Sequence, residues 1–535
     1  MLIHIVNVFC KAAGLVAVVL LYASDVNASE QAERAPDGSG KIRLTLDSVI
    51  RESVRRNTSV MSDHLQTRIA RENIEAEKSI YQPVLQSNLI SQTSSIQNTT
   101  EDLLVKMSTN YQELSNQFDV GFNGLIPTGA QWDVKLANTQ KNSSSIDRVR
   151  NYKYEYNGNL KLTVAQPLLK GFGPKATNAK IEFATIQSSI DFGKFEQKIM
   201  DLLSTTIQVY WKLYGAQKIY SLWLNSIQIS EKSIVDIEHR VAAGKLPETE
   251  LLEAKNSLFQ RKAELYSARS RLVEVQAQLY TLLNVVFPAG DGVKMFVLDE
   301  PDAGSSSFSD LEYYTQAALA KWPEYKNARR QVEKESTQVE FAANQALPQL
   351  DLVGSVGTNS MGREYDGAYQ RLGDDSFLSW SVGLKFSMPF PGGGAAKRAL
   401  SIARLRLQQA EVERDGLEKS LSNSIYSKLD AARSMQEQLR ELEQGLSVRG
   451  KLLAIEREKL RMGRVSMKAL LSQEEEFVNF QRRYLSGIVG FKSAVAALEI
   501  SSSDILSKYG IDTSSYSPLQ SGVARNSTLL PWEPK

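Results

Sequence analysis

Few side chains in this chain of 535 residues are of a type and spacing that could do chemistry. After residue 28 the only histidines are His64 and His239, and the only cysteine, Cys10, lies before that point. The sequence contains no GxGxxG, phosphate-loop, HExxH or GxSxG pattern. Carboxylates are plentiful but follow the spacing of solvated helix faces, and we expect both histidines at polar surface positions on helices. We therefore predict no catalytic residue, no metal site and no cofactor.

One glycine-rich segment, residues 392–394, could be read as a phosphate cradle. It follows an alternating segment and precedes a helix-spaced one, as Gly171 and Gly173 do earlier in the chain. We therefore interpret it as a strand-to-helix corner. The formal net charge of +2 gives no argument for a nucleic-acid partner.

Long helix-spaced segments dominate the elements that would position any functional residue. The stretches from Pro167 to Gly244 and from Pro389 to Gly463 are similar in length and nearly free of proline after their first positions. In the first stretch apolar residues recur every three or four positions, at Val209, Leu213, Ala216, Tyr220, Leu224, Ile227 and Ile234. This coiled-coil-like stripe predicts a very long helix, and returning helices follow over 250–284 and 468–500.

Residues 84–166 and 349–388 change to a period of two, which predicts strands. The clearest segments are 154–166, 377–388 and 118–138, the last of which predicts a hairpin with its turn at Pro127–Gly129. One apolar and one polar face suit the wall of a membrane barrel, and they suit the half-buried sheet of a soluble sandwich equally well. The long helices favour the barrel, because helices of that length are rare in compact domains.

These elements occur twice in the same order, which indicates a tandem duplication. Thr58 and Pro83 have the same offset from Pro323 and Pro348, respectively. The remaining corner landmarks also recur, as Pro167, Gly171 and Gly173 in the first copy and Pro389 and Gly392 in the second. The first copy has the longer β region, which we attribute to an extra hairpin and a surface loop. The sequence leaves open whether this hairpin joins the same wall as the other strands.

The domain boundaries follow from this repeat. Residues 1–28 are typical of a signal peptide, with an uncleaved anchor as the alternative, and no later segment is long and apolar enough for a spanning helix. The predicted segments are a flexible lead (29–43), a first repeat (44–287) with its turn near 244, a linker (288–310), a second repeat (311–510) with its turn near 463, and a disordered tail (511–535).

Several of these motifs together resemble the TolC-type outer-membrane efflux and secretion channel family over residues 42–510. They are the entry segment Leu44–Asn57, the turns at Pro83 and Pro348, the two strand-to-helix corners, and the segments 251–254 and 470–473 after the glycine turns. The resemblance implies an α+β membrane protein. In it a trimeric β-barrel, with strands shared between protomers, continues as a long antiparallel α-helical barrel. It further implies a passive exit duct in the outer membrane of a Gram-negative-type bacterium, extending into the periplasm.

The partners implied by the resemblance are further copies of the chain in a homotrimer, a periplasmic adaptor (membrane fusion) protein, an inner-membrane transporter of RND or ABC type, and outer-membrane lipid. No nucleic acid is implied. A periplasmic coiled-coil scaffold is the alternative, although a scaffold has no use for the alternating strands. A secreted enzyme is the third possibility, and it lacks any convergent catalytic set.

The resemblance also places the working end at the two glycine turns. The adaptor-contacting turns would be Gly244, Lys245, Leu246 and Pro247 in the first repeat and Gly463, Arg464, Val465 and Ser466 in the second. The aperture residues would be Thr249, Glu250, Glu253, Arg464 and Lys468. In the second repeat the chain departs from the family, with Leu460, Ala469 and Ser472 where well-known members have a gating tyrosine and two aspartates. Our hypothesis is that Glu250 pairs with Arg464 or Lys468 when the tip is closed.

Overall fold

The computed structural model describes residues 41–101, 110–143, 152–286, 294–301, 307–373, 377–389, 394–502 and 505–513. The predicted signal peptide, nearly all of the flexible lead, part of the linker, Gly392 and residues 514–535 lie outside these ranges. The chain divides into a small unit, residues 1–42 and 288–295, and a large unit that contains all other residues. Only the strand ends at 41–42 and 294–295 are described in the small unit.

Helices and strands alternate in the order that the repeat predicts. Ten helices of the described residues are α1 (Leu46–Arg56), α2 (Thr58–Lys78), α3 (Pro174–Ala242), α4 (Glu248–Leu282), α5 (Leu311–Lys321), α6 (Pro323–Gln345), α7 (Tyr365–Gln370), α8 (Gly394–Arg461), α9 (Met467–Ser501) and α10 (Ile505–Lys508). The strands are β1 (Lys41–Leu44), β2 (Val84–Gln97), β3 (Asn110–Leu125), β4 (Gln131–Ser143), β5 (Glu155–Pro167), β6 (Lys294–Val297), β7 (Gln349–Gly362) and β8 (Leu378–Ser387). No helix among the described residues is both long and apolar enough to cross a membrane.

Six strands form one antiparallel sheet in the order β2-β3-β4-β5-β7-β8. Strands β3 and β4 are the extra hairpin of the first copy, and they lie inside the sheet between β2 and β5. Strand β5 pairs with β7, so that the two copies are joined edge to edge. Strands β1 and β6 form a separate two-stranded sheet.

The predicted corners lie where strands meet helices. Pro83 and Pro348 directly precede β2 and β7, and Pro389 follows β8. Pro167 ends β5, and Gly171 and Gly173 follow with φ values of 81° and 89° before α3 begins. Proline suits these places because it lacks the N–H that a helix or a central strand needs.

The long helices α3 and α8 have 69 and 68 residues, and their returning partners α4 and α9 have 35 each. At about 1.5 Å per residue, α3 and α8 are each roughly 100 Å long. We call α3 with α4 the first hairpin and α8 with α9 the second hairpin. The predicted stripe is buried at Val209, Leu213, Ala216, Ile227 and Ile234, whereas Leu224 is 37% exposed and the neighbouring Trp223 is buried.

The expectation for one histidine is wrong. His239 is exposed, but His64 is only 5% exposed and its ring centroid lies 6.0 Å from that of Phe195. His64 falls in a stripe of α2 with Val60, Thr67 and Ile74, and this stripe packs on α3. A polar residue at such a spacing is buried with its stripe.

A buried tyrosine joins the start of the first copy to the linker. The phenol oxygen of Tyr210 lies 2.6 Å from the Asp299 carboxylate and 3.1 Å from the Leu44 carbonyl. The same carboxylate accepts a hydrogen bond of 2.7 Å from the Leu46 N–H. Burial and the adjacent carboxylate raise the pKa of Tyr210 above its ordinary value, because both disfavour a phenolate at this place.

Candidate functional site: helix tips, a buried charge cluster and a two-faced sheet

The two hairpins turn with the same backbone geometry. Gly244 and Gly463 have φ values of 70° and 71°, a conformation that glycine adopts without steric cost. In the first turn the Lys245 N–H donates to the Arg240 carbonyl, and in the second the Arg464 N–H donates to the Lys459 carbonyl. Each turn is therefore a Schellman motif, which satisfies the last carbonyls of the long helix.

The side chains at the two tips differ in charge. The first turn of α4 carries the carboxylates of Glu248 and Glu250 and has Pro247 as its N-cap residue. The first turn of α9 has no acidic residue, and its N-cap Ser466 accepts a hydrogen bond of 3.3 Å from the Ala469 N–H. The first tip is therefore the more acidic one, and the second carries Arg464 and Lys468.

One ion pair joins the tips. The Lys468 ammonium lies 3.8 Å from the Glu253 carboxylate, and the two side chains are 79% and 42% exposed. The structure therefore places Glu253, and not the Glu250 of our hypothesis, beside Lys468. Among the described residues Glu250 and Arg464 form no ion pair, and Arg464 and Thr249 are exposed.

Behind the tips an apolar cluster joins the two hairpins. Its buried members come from all four long helices and are Ile234, Ile237, Ala254, Leu453, Met467, Leu470 and Leu471. Val241, Leu246, Leu460 and Phe477 pack against it. Leu246 of the predicted tip turn is therefore part of this packing, and the cluster fixes the two tips to each other within one chain.

Further from the tips lies a cluster that the sequence reasoning missed, which we call the buried charge cluster. Its members Ser226, Arg261 and Glu474 are buried, and Arg457, whose side chain is 48% exposed, contacts Glu474 from the surface. Each member comes from a different long helix. Arg261 and Glu474 are 6% and 9% exposed in their side chains, and their charged atoms lie 3.3 Å apart. Arg261 also donates to the carbonyl and hydroxyl of Ser226 at 3.2 and 3.0 Å. Arg457 donates to the second carboxylate oxygen of Glu474 at 3.0 Å.

This cluster can hold the hairpins in one register. A buried carboxylate is stable only when paired and hydrogen-bonded, and here both oxygens of Glu474 are bound by arginines. A helix that slides or rotates relative to its neighbours leaves a buried charge without its partner, which costs several kcal/mol. A polar residue in a coiled-coil seam commonly fixes register in this way.

The sheet forms the other candidate surface, and its two faces are chemically distinct. One face carries large apolar side chains, which are exposed on five of the six strands and half-buried on β4. The exposed ones are Leu85, Leu89, Phe118, Phe122, Leu160, Leu162, Leu352, Val356, Trp380, Val382, Leu384 and Phe386. The opposite face carries polar groups, among them the ion pair of Lys135 with Asp119 at 2.7 Å. An exposed apolar face of this extent marks a surface that water does not cover in the working protein.

No group of three or more His, Cys, Asp or Glu side chains is placed to hold a metal ion in the part of the chain that the structure describes.

Comparison with known proteins identifies relatives of this architecture. Residues 314–498 match the family model for outer membrane efflux proteins. The outer membrane protein TolC of Escherichia coli (strain K12) is 22% identical over 317 residues, which cover 56% of this chain and 62% of TolC. The matched part is therefore less than two thirds of that relative's length.

Solved structures of outer-membrane channels have the same fold. OprN superposes with a TM-score of 0.63 at 17% identity, covering 85% of this chain and 89% of OprN. VceC of Vibrio cholerae gives a TM-score of 0.59 at 16% identity, with 85% and 95% covered. CmeC of Campylobacter jejuni gives 0.58 at 14% identity, with 87% and 89% covered.

The family match covers the second copy, and the structural matches cover most of both copies. Together these findings support the TolC-type outer membrane factor family: residues 314–498 match the outer membrane efflux protein domain, and most of the chain has the fold of solved outer-membrane channels.

Proposed function

We propose that this protein is a passive exit duct, in which three copies of the chain form one barrel through the outer membrane and one helical tunnel in the periplasm. The observation that carries the proposal is the sheet, whose exposed apolar face and polar face are what a barrel wall needs between lipid and water. Strands of 10 to 16 residues are long enough to span the hydrocarbon layer.

The edges of the sheet support closure by further copies. Strand β2 is the first edge, and its 14 residues contain no charge and no proline. Strand β8 is the other edge, with Lys385 as its single charged residue. Long uncharged edges invite pairing with another chain, because their N–H and C=O groups have no partner within the sheet. Cyclic pairing of β8 with β2 of the next copy would satisfy both edges.

The tips are the proposed gate and docking end of the duct. In this proposal Thr249, Glu250, Glu253, Arg464 and Lys468 surround the aperture. The turns Gly244–Pro247 and Gly463–Ser466 contact a periplasmic adaptor, which links the duct to an inner-membrane transporter of RND or ABC type. Opening breaks exposed contacts at the outer end of the tips, such as the Glu253–Lys468 pair, while the apolar cluster behind them stays packed.

Membrane fractionation of the full chain tests the proposal. We expect the protein in the outer-membrane fraction, extracted only by detergent, as a trimer that dissociates on heating in gel electrophoresis. Reconstituted into planar bilayers, it should form ion-conducting channels. Recovery as a soluble monomer would refute the duct and favour the periplasmic coiled-coil scaffold.

The tip residues are tested by conductance of single-site variants. Lys468→Gln and Glu253→Gln each remove one charge of the pair, and we expect either change to raise the conductance of the resting channel. Glu250→Gln tests our original hypothesis for the neighbouring carboxylate. Unchanged conductance in all three variants would show that Glu250, Glu253 and Lys468 do not contribute to the gate.

A further inference from the structure

The extra hairpin of the first copy is part of the sheet and not an appendage to it. Strand β3 pairs with β2 along the whole of β2, from Val84 opposite Asn123 to Gln97 opposite Asn110. Strand β4 pairs with β5 from Gln131 opposite Ala165 to Lys141 opposite Glu155. Strands β2 and β5 are therefore separated by two full strands.

Both faces of the sheet continue through this hairpin. On the apolar face, Phe118 and Phe122 are 43% and 50% exposed and stand in line with Leu89 and Leu85 of β2. On the polar face, the Asp119 carboxylate is buried beneath Lys135 and accepts from Gln117 at 2.9 Å. A loop folded away from the wall would have no reason to keep one apolar and one polar face in phase with its neighbours.

The turn of the hairpin is fixed at the edge of the sheet where the helices begin. The Gly173 N–H, at the start of α3, donates to the Thr128 carbonyl at 3.0 Å. The side-chain amide of Gln166 donates to the same carbonyl at 3.0 Å. Gly129 packs so closely here that an added Cβ atom would lie 2.2 Å from the Gly171 carbonyl oxygen. The hairpin therefore starts at the same level as every other strand of the wall.

We infer that the β3–β4 hairpin widens the exit of the duct, so that the trimer has a barrel of eighteen strands in place of twelve. This inference rests on the proposed trimeric duct, to which each chain brings its six-stranded sheet. With strands about 4.8 Å apart and tilted by about 40°, eighteen strands give a backbone diameter of roughly 36 Å, against roughly 24 Å for twelve. Side chains that reach about 5 Å inward leave a bore of roughly 26 Å and 14 Å, respectively.

The wider bore bears on the class of cargo. A bore of roughly 26 Å admits large hydrated solutes, such as polymers and compact polypeptides, which a bore of roughly 14 Å would exclude. The outer-membrane section then imposes little size selection of its own, and selection falls to the helical tips and the transporter. The polar face suits this use, because it presents charged and amide groups to water, among them the cross-strand pairs of Lys135 with Asp119 and Lys141 with Glu113.

Electron cryomicroscopy of the full-length protein in lipid nanodiscs tests the inference directly. We expect eighteen strands and a wall about 36 Å across. A variant that lacks Asn110–Ser143 joins the outer end of β2 to that of β5, and it should form a twelve-stranded trimer about 24 Å across. If the variant fails to assemble, the number of strands in the unaltered protein still tests the inference, because eighteen strands support it and twelve contradict it.

Polymer exclusion gives a functional reading of the same difference. The channels are placed in planar bilayers, and polyethylene glycols between about 14 and 26 Å in diameter are added on the side of the barrel. These polymers should enter the unaltered channel and lower its conductance, and they should leave the conductance of the deletion variant unchanged. A trimer with a twelve-stranded wall and the hairpin outside it would overturn the inference while leaving the duct intact. A soluble monomer would overturn both.

Discussion

The two copies of the repeat are nearly equal where they are helical and unequal where they are strands. The long helices differ by one residue, the returning helices have the same length, and both tips use the same glycine turn. The sheet, in contrast, takes four strands from the first copy and two from the second. The helical lengths are tied together because the apolar cluster and the buried charge cluster need residues of both hairpins at the same depth. A hairpin can be added to a sheet without disturbing contacts elsewhere, because antiparallel pairing involves only neighbouring strands.

The largest effect should come from breaking the buried charge cluster. Glu474→Ala leaves Arg261 buried without its carboxylate, and we expect a loss of about 3 to 5 kcal/mol in the stability of the helical part. Thermal melting followed by helical circular dichroism in detergent measures this loss. The matched control is Glu476→Ala, two residues away, which removes an exposed pair with Arg449 and should cost less than about 1 kcal/mol.

A second variant separates charge from packing at the same place. Arg261→Met with Glu474→Met replaces the pair by apolar side chains and should recover most of the stability lost in Glu474→Ala. If the cluster holds the hairpins in register, the double variant should be stable but should conduct more than the unaltered channel at rest, because the paired charges that fix the register are gone. Equal melting of Glu474→Ala and Glu476→Ala would show that the cluster does not couple the hairpins.

The apolar cluster should give the next largest effect, and a similar one from either hairpin. Ile237 is fully buried in the first hairpin and Leu453 is 6% exposed in the second. We expect Ile237→Ala and Leu453→Ala each to cost about 2 to 4 kcal/mol, measured by the same melting experiment. Ile229→Ala is the control, because Ile229 lies on the same helix as Ile237 and is 47% exposed. A large loss in one hairpin alone would mean that the two hairpins do not share a core near their tips.

Much of this arrangement is predictable from the sequence, because the signals are local. Alternation fixes the strand faces, and the Pro127–Gly129 segment predicts the hairpin turn that the structure has between β3 and β4. The glycines of the tips and of the first corner have the positive φ values that glycine tolerates best. The apolar stripe predicted for α3 fails at Leu224, which is exposed, whereas the neighbouring Trp223 is buried. The buried position shifts by one residue because a helix of 3.6 residues per turn drifts against a strict seven-residue repeat.

The buried charge cluster could not be predicted in the same way, because Arg261 and Glu474 are 213 residues apart in the chain. A weaker signal was available. Ala254, Arg261, Ala268 and Val275 are buried on α4 at intervals of one heptad, so Arg261 is a charge in a core position. Glu474 likewise lies between the buried Leu471 and Val478 on α9. Two opposite charges in the seams of two helices predict a pair, once the helices are known to be neighbours.

The tip glycines should show a smaller effect that is the same in both copies. Gly244→Ala and Gly463→Ala force alanine into the left-handed region, at a cost of about 1 to 2 kcal/mol each. No heavy atom lies within 4 Å of the added Cβ at either position, so the cost is conformational and not steric. Asparagine tolerates this region better and is the control at both sites. Unequal losses in the melting temperature would show that the two turns are not equivalent.

The smallest effect should come from the exposed pair at the tips, where the two copies differ most in charge. Glu253→Ala and Lys468→Ala remove a contact of 3.8 Å between side chains that water largely surrounds. A double-mutant cycle should give a coupling of less than about 1 kcal/mol, because solvent screens the pair and two long side chains lose freedom in forming it. The coupling should disappear near 1 M salt, where the Debye length falls to about 3 Å.

A pair this weak suits a contact that has to separate when the duct opens, whereas the buried charge cluster suits one that stays closed. A coupling that is large or insensitive to salt would contradict this division, since it would mean that the tips are held as firmly as the helices behind them.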